Sequence, residues 1–549
     1  RMSAVAGGET SNEEAFLLQG LVRDALGSNH LSARPGGELG LDVVRSLADP
    51  ALQASVPDLE FAHTVLVLDC DPIDDAPILD LRIRKGVRRH GTKVVVASAR
   101  PTALDPAAAA TIRFAPGAGE AFLVALDAAF TGDDGNLGGA ASAAGTNATA
   151  TREFLDDLRA AGEEIVIVYG EHVLRGQAGR ALLNLTARLG LRDVAGAGLL
   201  ELPSSPNGRG LREAGFAPGH GPGYTSLSAP GRDARGIAEG LADGELHSVW
   251  LHHADPLRSF PNRALWNRAL HTAQNVIAVD SVLTDTIREH ADVVFPAEAY
   301  AEKEGTLVHP DGRVQRLRQA IGRPRGASQT PGSGVRALWQ VLSDLARALG
   351  HDPGSVLTGA QASQRLFEAV PFYEGLTLDE IGGRGVRWPE REGFVSPAWE
   401  PVVLEVPAGA PAARDGSLRL GTFRPLWASK EVDASPALQF VRPRQVVELS
   451  PADAEALDIH EGDRVELGSN GTRVQGAVRL RAAIPNGSVF IAEGTHTDGA
   501  NTLTERVVDV RRIGPGGEQP LPIQTQPAVE GFAEMPPSAP LPIPPREST

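Results

Sequence analysis

ADVVFPAEAYAEKEGTLVHPDGRVQRLRQAI, running from Ala291 to Ile321, decides the fold. Ala291–Phe295 reads as a short strand that stops at Pro296. A charged turn follows, then Gly305-Thr306 and a tight turn at Asp311-Gly312. Arg313, Arg316 and Arg318 lie along a strand-like run in which Arg316 and Arg318 share a face with Val314. Upstream, HSVWLH (247–252) predicts a strand, Ala254-Asp255-Pro256 its exit loop, Leu265–Gln274 a helix and NVIAVD (275–280) the next strand. The same order occurs earlier. TVLVLD (64–69) is an apolar run suited to a strand buried on both faces, and Cys70-Asp71-Pro72 ends it. Ala76–Arg89 predicts a helix with a basic last turn, KVVVA (93–97) a strand and Ile112–Ala115 a short third one. The two Asp-Pro steps stand 184 residues apart, which predicts two related βαβ units.

Alternation of strands and helices predicts an α/β chain of Rossmann-like parallel sheets with helices on both faces. Ligands of such sheets sit at the carboxyl ends of the strands. The loops that start at Asp71, Gly170, Asp255, Asp280 and Pro296 are therefore the expected rim. EIVIVY (164–169), with Gln177–Leu189 as its helix, begins a further unit, and Ser11–Leu26 reads as a helix with capping-box spacing at Ser11 and Glu14. Thr131–Thr151 and Gly322–Gly334 read as loops, and Val335–Leu349 and Gln361–Ala369 as helices. From about residue 402, short strands and Asn-Gly turns predict a compact barrel with an inserted helix at Ala452–Leu457. The expected division is 1–150 and 151–330 for the two α/β units, 331–400 for a helical connector, 401–513 for the barrel and 514–549 for a Pro-rich tail.

Composition narrows the function. The formal charge of −17 argues against a nucleic-acid partner, which calls for clustered Lys and Arg. Cys70 is the single cysteine, so the chain builds no intrachain disulfide and no Cys₄ cluster. His252 and His253 are adjacent, and on a strand they would point to opposite faces. No apolar run reaches membrane-spanning length, and no secretory signal is expected at the N-terminus. Arg1 in place of an initiator Met predicts a fragment of a longer chain. Neither G-x-G-x-x-G nor a Walker loop occurs at the rim.

Several motifs resemble the molybdopterin oxidoreductase superfamily. They are Gly7-Gly8-Glu9 through Gly27-Ser28-Asn29, the two Asp-Pro loops, and Asp280, Thr284, Asp285, Thr286, Asp292 and Pro296 in the run before the opening stretch. Gly421-Thr422-Phe423-Arg424 and VELSPADAEALDIHEGDRVEL (447–467) resemble its pterin-dinucleotide-binding barrel, of double-psi type. AEKEGTLVHPDGRVQRLR (301–318) and GRGVRWP (383–389) resemble the large iron–sulfur subunit of bacterial NADH–quinone oxidoreductases, the respiratory complex I. That likeness implies a scaffold portion without chemistry of its own, at the cytoplasmic side of the membrane. It implies contact with neighbouring peripheral-arm subunits and with an upstream domain that carries the iron–sulfur clusters. No cofactor is then expected within this chain. The alternatives are an active molybdenum or tungsten bis-pterin enzyme, such as a formate-dehydrogenase-like subunit, and a pterin- or nucleotide-binding module without redox chemistry.

The family's catalytic members offer the metal a side chain shortly after the Asn29-like step, and here that position falls near Gly36. Thr422 and Arg424 are candidate phosphate contacts by the resemblance, because a hydroxyl and a guanidinium both donate. Asp71 and Asp255 read as turn formers and caps, with a vestigial guanine or ribose contact implied by the family. Cys70 reads as a buried filler, Glu171-His172 as a polar loop, and Glu302-Lys303-Glu304 as a salt-bridged hairpin rather than a catalytic set. No catalytic and no metal-ligating residue is expected.

Overall fold

Val65, Leu66, Val67 and Leu68 are all buried, as the unbroken apolar run requires of a central parallel strand. The computed structural model describes residues 1–160, 162–321, 334–352, 354, 356–391, 393–394, 396–409 and 416–516. In chain order its strands begin with β1 (Met2–Ala6), β2 (Leu31–Ser32), β3 (Thr64–Leu68), β4 (Lys93–Ala97) and β5 (Ala110–Ile112). Then come β6 (Ile165–Gly170), β7 (Gly198–Leu202), a small hairpin of β8 (His220–Gly221) and β9 (Thr225–Ser226), β10 (Ser248–His252), β11 (Asn275–Asp280) and β12 (Val293–Pro296). β13 (Gly305–Val308), β14 (Arg313–Leu317) and β15 (Val386–Arg387) form a small antiparallel sheet.

Two five-stranded parallel sheets run in the orders β5-β4-β3-β6-β7 and β12-β11-β10-β1-β2. They correspond strand for strand, with β3 and β10 each at the centre, so the internal repeat is structural. The repeat extends to backbone angles. Asp69 and His253, the first residues beyond β3 and β10, both take a positive φ, 48° and 52°. Asp71 and Asp255 then stand at the N-caps of the short helices Pro72–Asp75 and Pro256–Ser259.

Membership of the sheets departs from the sequence division. β6 and β7 join β3 rather than open a separate unit, so the first sheet takes strands from both sides of residue 150. The partners of β10 come partly from the N-terminus, where Met2–Ala6 pairs with Ser248–His252 although its sequence carries no strand signal. Thr131–Thr151 is another correction. It holds the helix Asp134–Ala143 and the start of the helix Ala148–Arg159, capped by Asp133 and Asn147. Its small residues suggest flexibility, but Leu137, Ala140, Ala141 and Ala144 form a close-packed buried face.

Ser11 caps the helix Asn12–Gly20 in a complete capping box with Glu14. Residues 331–400 carry the helices Leu338–Ala348 and Gly359–Ala369, and both pack on Asn12–Gly20. Trp388 is buried, stacked on Phe372 with ring centroids 4.2 Å apart, and its indole N–H donates to Glu213 at 3.0 Å. The C-terminal region closes into a six-stranded barrel of β16 (Ser417–Phe423), β17 (Val446–Leu449), β18 (Arg464–Ser469), β19 (Thr472–Leu480), β20 (Ser488–Ala492) and β21 (Val507–Gly514). The last of these adds a strand beyond those that the turn pattern predicts. The loop expected from Gly322 up to residue 333 and the Pro-rich tail beyond Gly516 lie outside the described residues.

Candidate functional site at the strand-end rims

Asp255 accepts from the backbone N–H of Arg258 at 3.2 Å and from the Thr286 hydroxyl at 2.5 Å. Its counterpart Asp71 accepts from the Ala103 N–H at 3.1 Å and faces the Arg100 guanidinium at 3.9 Å. Burial, with Asp74 beside it, raises the Asp71 carboxyl to about 6, and the Ala103 bond and Arg100 only partly offset this. Thr422 lies exposed on β16, and Arg424 donates to the Ser204 carbonyl at 2.6 Å. Asp71 and Arg424 therefore stand at the rim of the β3 sheet, where Arg100 stacks 3.9 Å over the ring of Phe423, the residue after Thr422. Asp255 stands at the other rim.

At the second rim lies a buried charge network. Lys303, expected in a salt-bridged hairpin or an inter-subunit surface, sends its ammonium inward to Glu14 at 3.0 Å, to His253 Nε2 at 3.0 Å and to the Glu9 carbonyl at 3.0 Å. His252 Nε2 lies 3.4 Å from Glu14, and the Trp250 indole donates to His252 Nδ1 at 3.2 Å. An indole N–H only donates, so the His252 proton sits on Nε2 and points at Glu14. Strand alternation would place the two histidines on opposite faces. The positive φ of His253 breaks that alternation and brings its ring to 5.1 Å from that of His252, with both against Glu14. Burial alone would raise the Glu14 carboxyl, but the Lys303 charge and the His252 hydrogen bond outweigh it and hold it well below the usual carboxylate range. Burial, then the neighbouring Lys303 charge, pushes the His253 ring well below the usual histidine value. It is a neutral ring that accepts from Lys303 and turns Nδ1 toward Glu9 at 3.5 Å.

A second lysine repeats the device. Lys430, which precedes the barrel strand β17, lies 2.8 Å from both oxygens of Asp280 and 3.1 Å from Glu9. The ligand-type atoms of Glu14, His252 and His253, and those of Glu9, His253 and Asp280, lie within 4.8 Å of one another, the spacing of a metal site. An ammonium group lies against two members of each set, Lys303 against Glu14 and His253, and Lys430 against Glu9 and Asp280. Lys303 and Lys430 thus pair with the carboxylates of this rim. The barrel is held to both sheets in the same way. Arg100 donates to buried Glu448 through two bonds of 2.7 and 2.9 Å, and Arg258 pairs with Asp433 and donates to the Gly494 carbonyl at 2.7 Å.

Residues 1–348 match the molybdopterin oxidoreductase family, and residues 418–517 match the molydopterin dinucleotide binding domain. The chain belongs to the molybdopterin oxidoreductase family. Within that family it is 28% identical over 542 residues to NADPH-Fe(3+) oxidoreductase subunit alpha of Geobacter sulfurreducens, covering 90% of this chain and 61% of that protein. It is 27% identical over 555 residues to a subunit of the NADH-quinone oxidoreductase of Rhizobium meliloti, covering 93% and 61%. A putative formate dehydrogenase of Staphylococcus aureus is 24% identical over 533 residues, covering 85% and 53%. This chain thus spans at most about three fifths of the length of these relatives. Among solved structures, acetylene hydratase from Pelobacter acetylenicus shares the fold, with a TM-score of 0.65 at 13% identity over 93% of this chain and 86% of that one.

The family name implies a molybdopterin group, and the residues present test that. At the metal end they do not fit a protein-held metal. Gly36 has no side chain, and a Cβ there would meet the Arg175 guanidinium at 4.0 Å. Ser32 is spent on Glu38, to whose carboxylate it donates at 3.0 Å. Glu38, raised to about 7 chiefly by burial, stands between a cavity of about 30 Å³ lined with Arg34, Tyr169, Arg212 and Tyr224 and one of about 240 Å³ lined with Gly40, Gln177 and Arg180. The β3 rim is different. It keeps Arg175, Arg424 and Arg506 in one neighbourhood with Asp69, Asp75 and Glu493. Burial, then the Arg506 charge, lowers the Arg175 guanidinium from its ordinary value.

His172 belongs to that neighbourhood. The His172 side chain is 55% exposed; the protein packed around the ring disfavours its charged form, yet the hydrogen bond and charge of Asp69 at 3.3 Å, backed by Asp75 and Glu493, raise it to about 9. Asp69→Asn keeps a residue that tolerates the positive φ. It is expected to bring His172 down by at least about one unit toward 6.5. A proton-NMR titration of the His172 ring checks this.

Proposed function

We propose that this chain is the structural, pterin-fold portion of the large iron–sulfur subunit of an NAD(P)H-linked oxidoreductase, of the NADH–quinone oxidoreductase type. The observation that carries the reading is Gly36. Where the family's catalytic members present a metal-ligating side chain, this chain has none and a guanidinium stands close by. The lysine-centred networks support it, because the Glu14 and Asp280 carboxylates are paired with lysines within the protein. In this role the chain carries no chemistry of its own. It braces an iron–sulfur portion of its polypeptide and the neighbouring peripheral-arm subunits, on the cytoplasmic side of the membrane. None of the helices among the described residues is long and apolar enough to cross a membrane, in keeping with a peripheral place.

A second reading is favoured by one observation, the guanidinium groups of Arg175, Arg424 and Arg506 at the β3 rim, which suit phosphate oxygens. On that reading the chain retains a pterin dinucleotide, with or without molybdenum or tungsten. Elemental analysis of the natively purified full-length protein separates the two. Iron without stoichiometric molybdenum or tungsten, and no pterin released on acid denaturation, is the expected result. Either metal near one per chain would make this a catalytic pterin enzyme.

A further inference from the structure

The helix Pro77–His90 presents one continuous outward stripe, Ile78, Leu81, Arg82, Lys85, Arg88 and Arg89, at the three- and four-residue spacing of a helix face. Its opposite face, Leu79, Ile83 and Gly86, is buried. Ile78 is 56% exposed and Leu81 58% exposed, although both are large and apolar. Arg82 and Lys85 share a single carboxylate, buried Glu60, while Arg88 and Arg89 at the helix end are exposed. Four cations thus face one carboxylate on the stripe of a chain whose formal charge is −17. Phe61, 59% exposed and packed against the His90 ring at 4.6 Å, extends the apolar area beside the basic end. The barrel occupies the carboxyl-end rims through Glu448, Asp433 and Lys430, so it does not compete for this outer face.

From this juxtaposition we propose that the outward face of the helix Pro77–His90 is the docking surface for a companion subunit of the assembly. The occupant is a protein segment with apolar side chains over Ile78 and Leu81 and carboxylates against Arg88 and Arg89. Charge complementarity selects it, since a basic stripe on an acidic chain attracts carboxylates and repels other basic surfaces. An anionic lipid surface is disfavoured. The apolar end of the stripe adjoins Asp74 and Asp75, which such a surface repels, and two apolar side chains give it little to insert. The proposal rests on the multi-subunit reading above but not on the metal content, so a molybdenum-loaded protein would leave it standing.

The test places a photo-crosslinking residue at Leu81 in the full-length protein within its native assembly. The expected product joins this helix to an Asp- or Glu-rich segment of one companion subunit, mapped by mass spectrometry. Arg88→Glu with Arg89→Glu is expected to lower the yield about tenfold at physiological salt, and a Glu→Lys change at the mapped segment to restore it. Both arginines are exposed, so the variant folds, and unchanged thermal unfolding verifies that. A product joining two copies of this chain, a lipid adduct, no product above background, or a yield indifferent to charge reversal would each overturn the proposal.

Discussion

Lys303→Met is expected to destabilise the folded chain by about 3–5 kcal/mol, the cost of leaving a buried carboxylate without its cation. Glu14 and Lys303 are both about 3% exposed at their side chains, so water cannot take over the lost contact. Denaturant unfolding at pH 7 measures the loss. Adding Glu14→Gln should recover much of it. Glutamine still completes the capping box at Ser11, and the orphaned charge is gone. The pH dependence carries a definite sign. The Glu14 carboxyl is depressed in the folded state, so its contribution is complete above its unfolded value near 4.5 and is lost as pH falls below that. In Lys303→Met burial dominates and the Glu14 value rises, so acidification relieves the variant while it weakens the native chain. The stability gap between them is therefore expected to narrow from pH 7 to pH 4. A gap that widens on acidification would mean that Lys303 does not set the charge state of Glu14.

Glu448→Ala should act on the order of 3 kcal/mol, and locally. It removes the buried acceptor of Arg100 and of Arg481, whose guanidinium lies 3.2 Å away, and with it the strongest link between the barrel and the β3 sheet. Burial would raise the Glu448 carboxyl, but the Arg100 hydrogen bond and charge, then Arg481, hold it below the usual range. Hydrogen exchange should report lost protection in β17, where Glu448 sits, and unchanged protection in β10. Equal loss in both would show that the barrel and the second sheet unfold as one cooperative unit.

The two βαβ units are legible in the sequence because their inner strands are largely buried on both faces, which leaves apolar runs such as 65–68 and 276–279. Their matched Asp-Pro exits mark the repeat. The strand β1 is hidden because Met2–Ala6 is short and built of small residues, and its partner lies far along the chain. The rim positions of Asp71 and Asp255 follow from local pattern, as both cap helices at strand ends. The ion network does not. Glu14 meets Lys303 across 289 positions, and no local spacing encodes that contact. The His252–His253 pair defeats the sequence rule because period-two alternation assumes extended backbone, and His253 has left it. Its alignment with Asp69, which precedes the other Asp-Pro step, is the signal that could have revealed this.

Chain connectivity imposes an order on synthesis. All five strands of the sheet built around β3 have left the ribosome by residue 202, whereas β1 must wait for its partner at Ser248–His252. Met2 and Ser248 are in register, and at about 5–20 residues per second the wait is roughly 12–50 s. During that interval a finished α/β layer is tethered to the apolar segment Met2–Ala6, whose one available neighbour is the two-residue β2. The nascent chain is thus exposed to misassembly at β1, and a holdase that shields Met2–Ala6 would raise the yield of the native sheet order.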